Sequence, residues 1–291
     1  MKFLREFETE SAYNAEKDNL DLPNVSYVVE SQNNYFHPIT PRDYSREYLT
    51  YEVLDDGLLG FAFAKNGDMP DMVVSYSIND GGWSTLPIID WEDTGSCIEV
   101  SEGDVIRFKG NNNAFYYEDV NTGDYSQGQI ALYDSTLENP IEFNAYGNIM
   151  SVIYGDNFIG QTSFPNGSIY NFYEFLGWLG VVDASNLILP ATTLGRFCYQ
   201  KMFIESNLLV NAPELPATNL TYDCYYSMFE GCSSLNYIKC LATDISASNC
   251  TLGWVNGVAA SGTFVKASDM AGWTTGISGI PNGWTVETAS Q

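Results

Sequence analysis

Positive charge is scarce in this chain of 291 residues, which has 12 Lys and Arg residues against 37 Asp and Glu residues and a formal net charge of −25. A protein binds nucleic acid by displacing condensed cations from the phosphates with Lys and Arg side chains. A surface this acidic repels a polyanion instead. We therefore expect no nucleic-acid partner, and the simplest role of the charge is to keep a tyrosine-rich surface soluble.

Histidine is almost absent, because His37 is the only one and it precedes Pro38, so no Ser-His-Asp arrangement is credible. The six cysteines form no C-x-x-C pair with partner histidines, which argues against a zinc site. A Gly-rich phosphate loop followed by Lys-Ser/Thr is missing as well. We expect no catalytic residue, no metal and no cofactor, and we interpret the cysteines as small buried side chains.

Two acidic patterns keep alternatives open. Asp90 and Glu92 flank Trp91 and offer the paired carboxylates that a glycoside hydrolase uses, but a chain with 37 acidic residues contains such pairs by chance. The stretch Asp119-Val120-Asn121-Thr122-Gly123-Asp124 has the alternating oxygen ligands of part of a calcium loop. A solvated pair and a polar hairpin turn are the simpler interpretations.

Long apolar runs are also missing. No window reaches the roughly 18 consecutive apolar residues that a membrane helix needs, so we expect no membrane insertion. Acidic residues interrupt residues 1–10 before any apolar run of signal-peptide length, so we expect no Sec export signal.

Residues 1–48 contain too little apolar material for a core of their own. The start favours a short helix, and Leu22-Pro23 then leads into a strand. We interpret this segment as an arm that another surface orders, with an extension packed on the following domain as the alternative. The candidate docking residues of the arm are Phe7, Tyr13, Val25 and Tyr27.

Residues 49–146 have the pattern of short strands separated by Gly, Asn and Asp turns, which predicts an immunoglobulin-like antiparallel β-sandwich. Apolar and β-branched runs occur at 61–64, 73–78 and 105–109. A hairpin is expected between Tyr76 and Trp83, whose indole should pack across the partner strand. A sugar-stacking platform is the alternative role for Trp83.

Residues 147–286 contain a repeat with a period of 26 residues. Leu189-Pro190-Ala191-Thr192 recurs at 215–218, and Cys198 and Met202 recur as Cys224 and Met228. A fixed period of this size indicates stacked units that bury their apolar sides against one another, which is a solenoid. The same period carries Tyr173 onto Tyr199 in a degenerate first unit.

Each unit is expected to contain one short strand and one short helix. Leu-Pro-Ala-Thr is extended, whereas Leu220, Cys224 and Met228 follow it at helical spacing. The predicted fold class is therefore mixed β and α/β: an N-terminal arm, an antiparallel β-sandwich, and a short solenoid with capping strands. The domains are 1–48, 49–146 and 147–286, followed by a tail at 287–291.

Two stretches resemble the BspA-like leucine-rich repeats of Bacteroides surface proteins: 184–194, which contains Leu189-Pro190-Ala191-Thr192, and 224–235, Cys224 to Leu235. The segment from Gly147 to Phe158 resembles the one that precedes such repeats. The opening Asn24-Val25-Ser26-Tyr27-Val28 is similar to the N-termini of virion proteins of phages that infect gut Bacteroidales, including crAss-like phages. The chain departs from the pattern at 197–198 and 204–206, so the number of repeats stays open.

The resemblance implies a leucine-rich-repeat interaction protein, not an enzyme. Because no export signal is found, we favour a phage virion protein: a head fibre or other capsid decoration on the virion surface. Its arm would dock on capsid or tail proteins, its repeats would bind host-surface glycan or protein, and a homotrimer or homodimer is expected. A bacterial surface adhesin is the alternative, followed by a tail-associated glycan-degrading enzyme. The candidate exposed aromatics are Tyr199, Tyr225, Tyr226 and Trp254.

Overall fold

The fold is taken from a computed structural model that describes residues 27–29, 36–38, 42–69, 71–90, 94–112, 115–119, 121–165 and 170–290. The chain divides into two compact units, Met1–Asp43 and Tyr44–Gln291. In the first unit, β1 (Tyr27–Val29) pairs antiparallel with β2 (Phe36–Pro38).

The described residues of the second unit form nine strands in its first part and five more after them. In chain order they are β3 (Leu49–Val53), β4 (Gly57–Lys65), β5 (Val74–Ile78), β6 (Ser84–Thr85), β7 (Ile98–Val100), β8 (Val105–Gly110), β9 (Tyr116–Glu118), β10 (Tyr125–Tyr133), β11 (Glu142–Asn148), β12 (Gly180–Asp183), β13 (Leu187–Ile188), β14 (Tyr237–Cys240), β15 (Thr263–Lys266) and β16 (Thr285–Thr288). Short 3-10 helices lie at Tyr44–Arg46, Thr94–Ser96 and Gly155–Asn157, and α1 covers Ser151–Tyr154.

Two mainly antiparallel sheets form the first part of this unit. One has the order β7-β4-β10-β9, and the other has the order β12-β11-β3-β8-β5-β6 with β13 also paired to β11. Tyr51 on β3 is fully buried, and its hydroxyl lies 3.5 Å from the Ile130 carbonyl on β10. The strands predicted at 61–64, 73–78 and 105–109 are confirmed as β4, β5 and β8. Burial alternates along β8, where Ile106 and Phe108 point into the core.

The repeat region consists of stacked chain segments. Parallel bridges join Asp183 to Asn211 and Asn211 to Tyr237. The parallel pairing that starts at β12 therefore continues to the sheet β14-β15-β16. On the other side of each repeat lies a continuous run of turns: 171–178, 196–205, 222–231 and 248–257. We call these four runs the turn segments.

Each turn segment hydrogen bonds to the next one. The Tyr170 N–H donates to the Arg196 carbonyl, and the Phe197 N–H donates to the Tyr222 carbonyl. Most alternate residues continue the same pattern towards the following segment, whereas the Tyr199 N–H donates back to the Asn171 carbonyl at 2.8 Å. This arrangement places several non-glycine residues in the left-handed region, including Asp223 at φ 56° and Ser227 at φ 49°.

The helix predicted through Leu220, Cys224 and Met228 is therefore wrong. Left-handed residues interrupt an α-helix, and every second N–H group of this segment bonds to the next segment, whereas a helix would bond it internally. All three apolar side chains are nevertheless buried, because a run of turns with a left-handed residue every fourth position also returns side chains to one side.

The expected fold class, mixed β and α/β with a sandwich and a strand-and-helix solenoid, is thus wrong. The structure is mostly β, it contains no closed solenoid, and the only α-helix of the described residues is the four-residue α1. The hydrophobic core runs continuously from Leu49 to Trp284. Within the described parts of the chain, no helix has the length and apolarity needed to cross a membrane.

Candidate functional site

Three of the four aromatics predicted to be exposed belong to the core. Tyr199, Tyr225 and Trp254 are buried, and their rings follow one another through the repeats, with centroids 6.3 Å apart between Tyr199 and Tyr225 and 6.3 Å apart between Tyr225 and Trp254. The Trp254 indole N–H donates to the Gly279 carbonyl at 2.8 Å. These residues recur in the repeat because packing needs one inward-facing ring in each unit. Of the four predicted aromatics, only Tyr226 is half-buried.

Several other predicted residues lie outside the described part of the chain. Phe7, Tyr13 and Val25 of the arm are among them, while Tyr27 is the first residue of β1. Trp91 and Glu92 also lie outside it, so the carboxylate pair of Asp90 and Glu92 stays a prediction.

The acidic turn considered for calcium connects β9 to β10. The Asp119 side chain accepts hydrogen bonds from the Asn121 N–H at 2.8 Å and from the Asn121 amide at 3.1 Å, which holds the pKa of this carboxyl below its usual value. The Gly123 N–H closes the turn on the Asp119 carbonyl at 2.7 Å. Among the residues that the structure describes, no group of three or more His, Cys, Asp or Glu side chains is placed to hold a metal ion.

A different set of aromatics forms a half-buried surface beside the turn segments. We call it the outer aromatic cluster, and its members are Tyr116, Tyr170, Tyr173, Phe197 and Tyr222. Tyr116 comes from β9, Tyr170 directly precedes the first turn segment, and Tyr173, Phe197 and Tyr222 come from the beginnings of the first three turn segments. The cluster therefore joins the antiparallel sheets to three consecutive repeats.

The rings of the cluster touch in sequence. Tyr116 lies 4.8 Å from Tyr170 and 4.7 Å from Tyr173, measured between ring centroids. Tyr170 stacks on Phe197 at 4.2 Å and 6°, and Phe197 meets the edge of Tyr222 at 5.3 Å and 85°. Because hydrogen bonding between segments fixes the spacing of the backbones, these contacts are set before any ligand arrives.

Charged groups surround the rings. The Arg196 guanidinium lies 4.7 Å from the centre of the Tyr222 ring and 5.4 Å from that of Phe197, which are cation–π distances. The Tyr116 hydroxyl donates to Glu118 at 3.3 Å. Burial first and the nearby Glu118 second raise the pKa of Tyr170 to about 12, so its hydroxyl stays a hydrogen-bond donor at neutral pH.

Asp223 adds a carboxylate to this group. It is only 8 % exposed, and one of its carboxylate oxygens has no hydrogen-bond partner in the structure. It follows Tyr222 in the chain, and its charge makes a small contribution to the raised pKa of Tyr170, after burial and Glu118. A buried acceptor without a partner is costly, and a ligand hydroxyl or amide that reached it would remove that cost.

Trp83 lies in another part of the unit. Its indole is 38 % exposed and precedes β6, after a turn in which Asn79 and Asp80 both have positive φ. The ring contacts Tyr48, at 5.1 Å between centroids, and the Lys109 ammonium, at 4.4 Å from its centre. Ser75 pairs with Thr85 and Tyr76 with Ser84, so the expected hairpin is confirmed as β5 and β6. The Trp83 ring contacts Lys109 of β8, the strand on the other side of β5 in the sheet.

The sequence did not predict the outer aromatic cluster, because the first repeat was aligned with the second one residue out of register. Phe172, not Tyr173, lies on Tyr199, with ring centroids 6.0 Å apart and planes at 9°. The first repeat is therefore 27 residues long, and Tyr170 and Tyr173 turn outwards instead of inwards. The available signal was that the units contain more aromatic residues than the core needs. One ring of each unit fills the core, so additional ones such as Tyr170, Tyr173 and Tyr222 have to face elsewhere.

No protein-family model, no curated protein and no solved structure matches this chain. The resemblance to BspA-like leucine-rich repeats and to virion proteins of Bacteroidales phages therefore stays a prediction.

Proposed function

We propose that this chain is a non-enzymatic virion structural protein, a capsid head fibre or surface decoration anchored by its N-terminal residues. Its repeats face outward and bind a glycan or protein of the host surface. The outer aromatic cluster is the observation that supports this proposal, because preset Tyr, Phe and Arg side chains are the residues that dominate binding surfaces.

The division of the chain at Asp43 agrees with a separate anchoring segment before the body. Capsid or tail proteins are its proposed partners, and several copies on one particle, as dimers or trimers, strengthen weak contacts with a host cell through multivalency. A bacterial surface adhesin is the second candidate, and the same cluster serves it equally well.

Two measurements test the proposal. Mass spectrometry of purified phage particles should detect the chain as a structural component, and its absence from particles whose genome encodes it would contradict the virion assignment. Detection on the surface of uninfected cells favours the adhesin.

Binding to host cells tests the cluster itself. The full chain carrying Phe197→Ser and Tyr222→Ser should bind cells at least about tenfold more weakly than the natural sequence, since two central rings are lost. Trp178→Ser is the matched control, because Trp178 is an aromatic residue of the first turn segment that is 48 % exposed and is not part of the cluster. Equal loss of binding in both variants, or in neither, would exclude the cluster as the contact surface.

A further inference from the structure

The stack of repeats ends in an open strand edge. β14, β15 and β16 form a parallel sheet, and among the described residues no strand pairs with the outer side of β16. The outer strands β6, β7 and β9 contain only two or three residues, whereas β16 contains four. Proteins protect edge strands by keeping them short or by placing Pro, Lys or a bulge in them. β16 contains neither Pro nor Lys, its pairing with β15 is regular, and its single charge is that of Glu287.

The unpaired backbone groups of this edge belong to Val286 and Thr288. The Thr285 N–H donates to the Gly262 carbonyl at 2.8 Å, and the Ala289 N–H donates to the last carbonyl of β15 at 2.8 Å. Successive residues of a strand direct their backbone polar groups to opposite edges. The N–H and carbonyl groups of Val286 and Thr288 therefore point away from β15, where another strand can reach them.

The same end of the stack exposes apolar side chains. Val286 continues the row of Ile238 and Phe264, because strand pairing aligns the three residues. Ile238 and Phe264 are fully buried, but Val286 is 46 % exposed. Ile277, whose carbonyl accepts the Val255 N–H of the fourth turn segment, is 56 % exposed. A solenoid stays soluble through polar outer surfaces on its last units, so apolar side chains at this end favour association.

The turn side of this end satisfies its own backbone groups. The Gly276 N–H donates to the Ile280 carbonyl, and the Ile280 N–H donates to the Thr274 carbonyl, both at 2.8 Å. The loop thus closes on itself. The place for an added strand is the edge of β16.

This edge is complementary to a second copy of itself. When two copies lie antiparallel across a two-fold axis at Val286, the two valines exchange N–H···O bonds and their side chains meet on the buried side of the sheet. Each Glu287 then lies opposite Thr285, whose hydroxyl can donate to it. An axis at Glu287 would instead place two carboxylates opposite each other, which is destabilising.

We propose that two copies of the chain associate through β16 into a two-fold dimer with one sheet running across the interface. The parallel ladder offers no matching edge at its beginning, because β12 is covered by β11. Copies therefore cannot add head to tail through it, and the assembly closes at two. One strand pair buries less than the roughly 1,200 Å² of a stable interface, and each copy carries a charge of −25, so the dimer is weak and depends on salt.

Sedimentation equilibrium of the full chain tests the proposal, which stands without the virion assignment. At about 0.15 M salt we expect a monomer–dimer equilibrium with a Kd on the order of 10 µM. At about 0.01 M salt the Kd should be at least about tenfold higher, because the charges are less screened. Hydrogen exchange of the Val286 and Thr288 amides should slow as the protein concentration rises. A chain that stays monomeric well above this Kd would overturn the proposal and leave the edge to a different partner.

Variants then locate the interface. Val286→Glu places two carboxylates opposite each other at the axis and should weaken the dimer at least about tenfold. Val73→Glu is the matched control, because it makes the same charge change at a valine that is 52 % exposed and lies outside β16, and it should change the Kd by less than about twofold.

Val286→Pro removes the outward N–H without breaking a hydrogen bond of the monomer, since edge strands tolerate proline at such positions. It should weaken the dimer at least about tenfold, because the two symmetric bonds at the axis are lost. A dimer that persists in both Val286 variants, or one that Val73→Glu weakens as strongly, would place the interface elsewhere and overturn the proposal.

Discussion

Tyr199 places a single polar group, its hydroxyl, inside the apolar core of the repeats. Its ring lies between Phe172 and Tyr225, and its hydroxyl is buried without a hydrogen-bond partner. Burial raises the pKa of Tyr199 well above its usual value, so the group is neutral at every physiological pH. The ring is needed for packing, whereas the hydroxyl adds only an unsatisfied donor and acceptor.

Removing that hydroxyl should stabilise the protein. We expect Tyr199→Phe to raise the free energy of unfolding by about 1 kcal/mol, because the desolvation penalty of an unpaired hydroxyl disappears and the stacked ring remains. Denaturant unfolding monitored by circular dichroism measures the change.

Tyr154→Phe is the matched control for this prediction. The Tyr154 hydroxyl donates to the Ser163 carbonyl at 2.7 Å, so its removal should lower stability by about 0.5–1 kcal/mol. If Tyr199→Phe lowered stability as much as Tyr154→Phe, the hydroxyl of Tyr199 would have to possess a partner.

At the scale of the element, the turn segments depend on residues in the left-handed region. Glu205, Gly231 and Gly257 occupy equivalent positions, and all three have positive φ, at 57°, 79° and 82°. The N–H of Glu205 donates to the Glu230 carbonyl, just as that of Gly231 donates to the Asn256 carbonyl. A side chain in this conformation costs about 1–2 kcal/mol, so at this position the second segment carries strain that glycine removes in the next two.

Glu205→Gly should therefore stabilise the chain by about 0.5–1 kcal/mol, the relief of backbone strain less the entropy that glycine adds to the unfolded state. Thermal and denaturant unfolding provide the test. Gly231→Ala makes the opposite change and should destabilise the chain by about 1–2 kcal/mol. Equal effects of one sign in the two variants would refute the role assigned to the left-handed conformation.

The strands were predictable from the sequence and the turn segments were not. Alternation of apolar and polar residues along β8 belongs to strands alone, so the pattern identified its structure. Leu220, Cys224 and Met228 recur every four residues, which both a helix and these turn segments satisfy. The backbone of Asp223 decides between them, and nothing in a single sequence marks an aspartate as left-handed.

The candidate site was predictable only in its location on the repeats. Repetition identified Tyr199, Tyr225 and Trp254, but a residue that repeats in every unit is the one that packing requires. Tyr170 and Tyr222 could be assigned to the outer surface only from the structure, which shows that the first unit is 27 residues long.

At the scale of the whole molecule, the charge of −25 opposes folding because it concentrates like charges on a compact surface. Raising the ionic strength from about 0.01 M to about 0.15 M shortens the Debye length from about 30 Å to about 8 Å. At pH 7 we expect this change to raise the melting temperature by a few degrees, on the order of 1 kcal/mol of stability.

The same salt series near pH 4.1, the isoelectric point calculated from the sequence, provides the control. The net charge is close to zero there, so the increase in melting temperature should vanish. An increase of equal size at both pH values would mean that salt acts through hydrophobic burial and not through charge screening.

The hydrogen bonds between turn segments also decide how the molecule responds to force. They run along the stacking direction, so a pull in that direction loads the interfaces one behind another and stretches each bond lengthwise. When hydrogen bonds are loaded in series, those of the weakest interface break first and the other interfaces remain intact. Under tension the repeat region therefore behaves as an extensible tether that lengthens stepwise and does not break all at once.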